Sequence, residues 1–160
     1  MKPLRTSSSK AKRARIKWVM IGWLALSWVG FLDATYLTIQ HYRGASLRCF
    51  ELSHCDEVTG SRYAVIGGIP IALLGAAYYL SIFLLTVAYF DTKNTWILSI
   101  IPLLTVLGFL ASLVLVYLQL FVIHAICLYC MFSALTSTAL FILAVISRKG
   151  RDGSRDESRG

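Results

Sequence analysis

The sequence predicts an all-α integral membrane protein, a bundle of four transmembrane helices. Three observations carry that expectation. Of 160 residues, 57% are hydrophobic and only 15% charged, and the mean hydropathy of +0.66 is too apolar for an ordinary soluble domain. The apolar residues fall into four runs, about Trp18 to Ile39, Ile69 to Phe90, Trp96 to Val122 and Cys127 to Ile146. Each approaches or exceeds the roughly 20 residues that a helix needs to cross a hydrocarbon core of about 30 Å. The basic residues behind the net charge of +8 collect mostly outside those runs.

Each run is read as a helix because an open strand would leave its backbone groups unpaired in lipid. The first follows a basic tail, as a secretory signal would, but it is too long and lacks a small-residue cleavage site. Pro70 is expected in the first turn of the second helix, where its missing N–H does no harm. Lys93 lies in the tight connection to the third, and the fourth opens on a C-x-x-C. The expected organisation is a basic tail (1–17), a membrane domain (18–146) with one long outer loop (about 41–68), and a second basic, flexible tail (147–160).

Charge sets the expected orientation. Lys2, Arg5, Lys10, Lys12, Arg13, Arg15 and Lys17 precede the first run, Arg148, Lys149, Arg151, Arg155 and Arg159 follow the last, and Lys93 shares their side. Only Arg43, Arg48 and Arg62 lie opposite. Positive charge stays inside, so both termini are expected in the cytoplasm. Basic residues confined to tails do not make the folded face that nucleic acid requires, so no nucleic-acid partner is expected.

All four cysteines fall on the outer side, Cys49 and Cys55 in the long loop and Cys127 and Cys130 at the start of the fourth helix. Four cysteines allow three pairings, and spacing alone does not choose among them. Two inert disulfides are one reading. A bond closing only a C-x-x-C constrains almost no chain, however, and its entropic stabilisation is small. A helix N-terminus favours thiolate, which makes Cys127 or Cys130 a better nucleophile. Zinc held by the four thiolates, or with His54 or His124 replacing one, is disfavoured by the C-x5-C spacing and an oxidising compartment; no metal is expected.

Cys130 lies about 24 Å along the fourth helix from Ile146, near the outer hydrocarbon edge, with Cys127 nearly one turn closer to water. The residues thus suggest a graded path, from a water-exposed pair to a boundary pair to a lipid-soluble acceptor. Asp33 is the one acid inside an apolar run. It reads either as a proton relay or site support, or as a residue reaching water at the interface. Ser133 and Ser137 share a face with Cys130 and could line a quinone pocket or let helices approach, as Gly75, Ala76, Gly108 and Ser112 are expected to do.

The C-x5-C loop, Ser61 six residues after Cys55, the run S-R-Y-A-V-I-G-G-I-P-I-A-L-L-G from Ser61 to Gly75, and C-L-Y-C at 127–130 together resemble the vitamin K epoxide reductase family in its bacterial form, over roughly residues 18–146. The resemblance implies a bundle enclosing a quinone, ubiquinone or menaquinone, near Cys130, with the extracytoplasmic loop capping the redox site. It implies that a separate thioredoxin-fold, DsbA-like protein in the periplasm attacks at Cys49, that Cys55 exchanges with Cys127, and that Cys130 faces the quinone. Ser61 becomes a helper at the redox site; from the residues alone it is equally a helix N-cap. Eukaryotic members carry a tyrosine four residues after the last cysteine, where this chain has Ala134, which favours an ordinary quinone over vitamin K epoxide. A DsbB-like protein would carry its cysteine pairs in the opposite order, and the remaining alternative is a membrane scaffold stapled by disulfides. The expected location is the bacterial cell membrane, and the expected partners are lipid, quinone and the thioredoxin-fold protein.

Overall fold

The computed structural model describes residues 5–44, 58–94 and 96–156. Four long helices dominate it: α1 (Arg5–Arg43), α2 (Ile71–Thr92), α3 (Ile97–Tyr117) and α4 (Leu128–Asp156). The stretches long and apolar enough to cross a membrane are Lys17–Arg43, Ile71–Thr92, Ser99–Ile123 and Leu128–Arg148, within a few residues of the four runs read from hydropathy. The helices form a ring in chain order, α1 on α2, α2 on α3, α3 on α4, and α4 back on α1.

Two features differ from expectation. Helix continues through both basic segments, from Arg5 into α1 and through α4 to Asp156; the Lys, Arg and Ala residues of the first favour it, whereas Gly150 and Gly153 in the second do not. Pro70 stands one residue outside α2 as its N-cap, with φ −62° and ψ 135°. It ends a minimal hairpin, β1 (Val65–Ile66) paired antiparallel with β2 (Ile69–Pro70). Gly67 and Gly68 turn it at φ 58° and 87°, the positive values that a two-residue hairpin loop needs and glycine adopts without strain.

The core has two parts. The larger gathers Met20, Trp23, Tyr79, Ile82, Ile101 and Leu140 from all four helices. The smaller, at the cysteine end, holds Leu37, Val58, Ala125 and Cys127. The outer surface stays apolar: Leu103, Leu107, Leu110, Val114 and Tyr117 form an exposed stripe along α3, as a face in contact with lipid requires. Three buried hydroxyls satisfy themselves along their own helices, Ser27 Oγ donating to the Trp23 carbonyl at 2.6 Å, Thr38 to Ala34 at 2.7 Å and Thr86 to Ile82 at 2.7 Å.

Close approach depends on glycine at two crossings. A Cβ on Gly30 of α1 would meet the Tyr79 ring of α2 at 2.5 Å, and one on Gly108 of α3 would collide with Tyr78. Gly75 differs, since its nearest neighbour would be the Ala34 Cβ at an ordinary 3.7 Å. Gly30→Ala should therefore destabilise by about 1–3 kcal/mol through overpacking. Gly75→Ala should be neutral or stabilising by up to about 1 kcal/mol through helix propensity. Thermal unfolding of both variants in one detergent checks the pair, and equal losses would show that the α1–α2 spacing is not set at Gly30.

Candidate redox site

The site is built where α3 gives way to α4. The last turn of α3 widens into a π-helical segment, Leu118–Ile123. The chain reverses at His124, exposed and left-handed at φ 55°, and α4 starts four residues later. Such a reversal leaves several N–H groups without helical partners, which is costly away from water. Gln119 answers most of that need. Its backbone carbonyl accepts from the N–H groups of His124 and Ala125, the latter at 3.1 Å, and its side-chain oxygen accepts from the Cys127 N–H at 3.0 Å. Gln119 is only 3% exposed.

Cys127 occupies the N-cap position of α4. Its carbonyl accepts the Met131 N–H at 3.0 Å, and its sulfur accepts the Cys130 N–H at 3.4 Å, the bond that a capping serine or aspartate would make. The Cys127 thiol is held below the ordinary thiol range, chiefly by a hydrogen bond from the Cys130 thiol. The Cys130 and Tyr129 N–H groups add to this, while burial and the charge of Asp33 oppose it. Both cysteines of the pair are free thiols here.

Cys127 meets the end of the long loop, as expected, but is not open to water: it is 0% exposed, enclosed with Leu37, Val58 and Ala125, while Cys130 is partly exposed. The reason is the end of the long loop, which folds back so that Val58 packs into this cluster. Ser61 holds that turn: its hydroxyl donates to the Val58 carbonyl at 2.8 Å, and its N–H does so at 3.4 Å. Ser61 stands at the N-cap of the short 3-10 helix Arg62–Ala64 but makes no side-chain cap there, so its hydroxyl positions the loop instead. Cys49 and Cys55 lie outside the described residues.

Asp33 sits on α1 between Gly30, which adjoins Tyr79, and Leu37, which adjoins Cys127. Its Oδ2 is buried and finds no hydrogen-bond partner among the described residues. With Leu128, Tyr129, Met131, Phe132 and Leu135 it lines a cavity of about 450 Å³ between α1 and α4, beside which the Tyr36 and Tyr129 rings lie 5.2 Å apart. Among the described residues, Asp33 is thus the one acid shared by the cavity wall and the surroundings of Cys127. Ser133 and Ser137 line neither this cavity nor a smaller one of about 190 Å³ between α3 and α4, which Ala134 and Ser112 do border. Both serines make contacts between helices: Ser133 receives the Tyr79 hydroxyl at its carbonyl, 2.8 Å, and lies 3.0 Å from it through Oγ, and Ser137 accepts from the Ser112 hydroxyl at 2.9 Å.

A family model, the vitamin K epoxide reductase family, matches residues 21–145. The chain belongs to that family. A vitamin K epoxide reductase family member with four spans is a membrane oxidoreductase, and members of the family use quinones. A comparison with curated proteins finds no match. Among the described residues no cluster of three or more His, Cys, Asp or Glu could hold a metal. Reading the sequence missed Gln119, Tyr79 and Val58. A glutamine inside an apolar span was the available signal for the first, because a buried amide needs a partner; nothing in the sequence marked Val58.

With its thiol below the ordinary range, Cys127 should reach half-maximal alkylation at a lower pH than a free thiol of pKa about 8.5. Mass spectrometry of the reduced protein treated with a small iodoacetamide across pH 6–10 (about the range of thiol titration) checks this. A midpoint at or above the free-thiol value would contradict the capped geometry.

Proposed function

We propose that this chain is a quinone-dependent thiol–disulfide oxidoreductase that reoxidises a thioredoxin-fold, DsbA-like protein in the periplasm and passes its electrons to ubiquinone or menaquinone. The observation carrying this reading is the Cys127–Cys130 pair. Its first sulfur caps a helix inside an apolar enclosure, next to a largely apolar cavity lined by Asp33, whose Oδ2 has no hydrogen-bond partner among the described residues. An inert staple has no use for a capped sulfur, whereas a nucleophile or leaving group does.

The cavity suits a quinone. Leu128, Met131, Phe132 and Leu135 offer the apolar surface that a ring and isoprenoid chain need, and Asp33 offers a proton-bearing group for a carbonyl oxygen. When bound, a quinone supplies an acceptor for two electrons and two protons. The residues do the rest. A thiolate of the partner protein attacks the Cys49–Cys55 disulfide at Cys49, and Cys55 leaves as thiolate. The partner's second thiol then attacks its own sulfur in that mixed disulfide, which oxidises the partner and frees Cys49. Cys55 attacks the Cys127–Cys130 disulfide at Cys127, and Cys130 leaves. Cys49 resolves the Cys55–Cys127 bond, which restores the loop disulfide and leaves two inner thiols. Their reoxidation to a disulfide releases two electrons and two protons, and Asp33 hands on a proton at its Oδ2.

Chain connectivity supports the exchange step. Cys55 precedes Val58 by three residues, a reach of at most about 11 Å, and Val58 lies in the cluster around Cys127. The Ser61 hydroxyl, bonded to the Val58 carbonyl, holds Val58 in its place beside Cys127. The excess of basic residues at the two ends and at Lys93 favours a cell-membrane protein with cytoplasmic termini and the cysteines on the periplasmic side.

Cys130→Ala should abolish quinone-linked oxidation of a dithiol protein in nanodiscs, because no inner disulfide can form, whereas Cys49→Ala, which removes the resolving thiol, should accumulate a Cys55–Cys127 disulfide detectable by mass mapping. Retained quinone reduction in Cys130→Ala would sink the mechanism. Asp33→Asn, which keeps size but holds no exchangeable acid, should slow quinol formation by about 10²-fold or more without blocking the thiol exchange, as followed by rapid-mixing absorbance and by gel shift of alkylated intermediates. Equal slowing of both steps would assign Asp33 to folding instead.

A further inference from the structure

The side chain of Gln119 performs a task that packing alone would not require. A leucine would fill an apolar span equally well, whereas a buried amide is costly unless its polar atoms are bonded. Here the oxygen of a residue that is 3% exposed lies 3.0 Å from the N–H of Cys127, eight residues further on. The carbonyl of the same residue closes the π-helical turn through His124 and Ala125. Single π-turns in otherwise α-helical segments recur at functional sites. The result is a rigid link from the end of α3 to the first residue of the C-x-x-C.

We propose that Gln119 is a positioning residue of the redox pair, holding the Cys127 backbone so that its sulfur stays in the N-cap position of α4, over the Cys130 N–H. This rests on the redox reading of the pair. Without the Gln119 oxygen the Cys127 N–H has to find another acceptor, and the simplest is a backbone carbonyl reached by rotating the Cys127 peptide. That rotation takes the sulfur away from the helix start. Cys127 then loses the N–H groups that favour its thiolate and also the geometry that lets it close on Cys130. The Gln119 side chain is bonded to the Cys127 backbone and acts through it.

The test uses the full-length reduced protein in nanodiscs and needs no quinone, so it stays distinct from the failure of the proposed activity. Gln119→Met keeps approximate side-chain volume and removes the oxygen. Ile101→Ala, in the other core cluster, supplies a destabilised comparison. The pH profile of Cys127 alkylation is followed by mass spectrometry for both and for the wild type. Gln119→Met should move the midpoint up by about one pH unit and slow alkylation at neutral pH about tenfold, while Ile101→Ala leaves the midpoint in place. Superimposable profiles for Gln119→Met and wild type, or an equal shift in Ile101→Ala, would overturn the proposal. If the Met variant does not fold, amide hydrogen exchange on the wild type carries the test. The proposal requires the Cys127 N–H to exchange at least about tenfold more slowly than an unstructured amide, as a hydrogen-bonded group does, and exchange at the unprotected rate overturns it.

Discussion

A chain that reverses direction at the edge of a bilayer must find partners for the N–H groups that neither helix can serve. Between α3 and α4 this chain meets that demand with two side chains, the amide of Gln119 and the sulfur of Cys127. The rest of the site follows from it. Because a cysteine does the capping, the group that satisfies the backbone is also the group capable of redox chemistry. Because the junction is apolar and closed, the backbone bonds are not exchanged for bonds to water. Thiolate on Cys127 is favoured first by the Cys130 thiol and then by N–H groups that include the Cys130 N–H capped by its sulfur, against the burial that would otherwise suppress it. Structural necessity and reactivity here use one set of atoms.

Around this junction the bundle keeps its polar groups in a narrow zone. Tyr79 of α2 reaches Ser133 of α4, Gly30 makes room for that ring, and Asp33, one turn further along α1, faces the cysteine end with an unpartnered oxygen. Elsewhere in the spans, the hydroxyls of Ser27, Thr38, Thr86, Thr105 and Thr136 return to their own backbone. An unpaired carboxyl oxygen in such a setting costs stability, and Asp33 bears that cost beside the C-x-x-C. Ser112 and Ser137, by contrast, pair with each other and serve helix packing.

Much of the fold was legible because hydropathy counts residues against a fixed thickness. The four spans, their short connection at Lys93 and the placement of Cys127 and Cys130 at a helix start required nothing else. What stayed hidden depends on tertiary contacts. Depth along a helix puts Cys127 towards water and towards the loop, but it does not register that Val58, with Leu37 and Ala125, closes the residue off from water. Ser61 had the composition of an N-cap, yet its hydroxyl turns backward to Val58 because the preceding turn, not the following helix, needs the bond. The hairpin at Gly67 and Gly68 was too short for periodicity to detect. Gln119 was visible as an amide in an apolar run, but its partner eight residues away exists only once the π-turn has formed. Membership of the vitamin K epoxide reductase family, carried by residues 21–145, agrees with the resemblance seen in the cysteine spacing and the G-I-P start of α2.

The central claim is that the inner cysteine pair itself delivers electrons to a quinone. The most direct test is a single turnover of the Cys49→Ala, Cys55→Ala double variant, fully reduced, mixed in nanodiscs with a stoichiometric menaquinone or ubiquinone analogue while quinol absorbance and free thiols are followed together. One quinol formed for each pair of thiols lost at Cys127 and Cys130 is the expected result. Thiols that persist with no quinol, in a protein that remains folded, would contradict it.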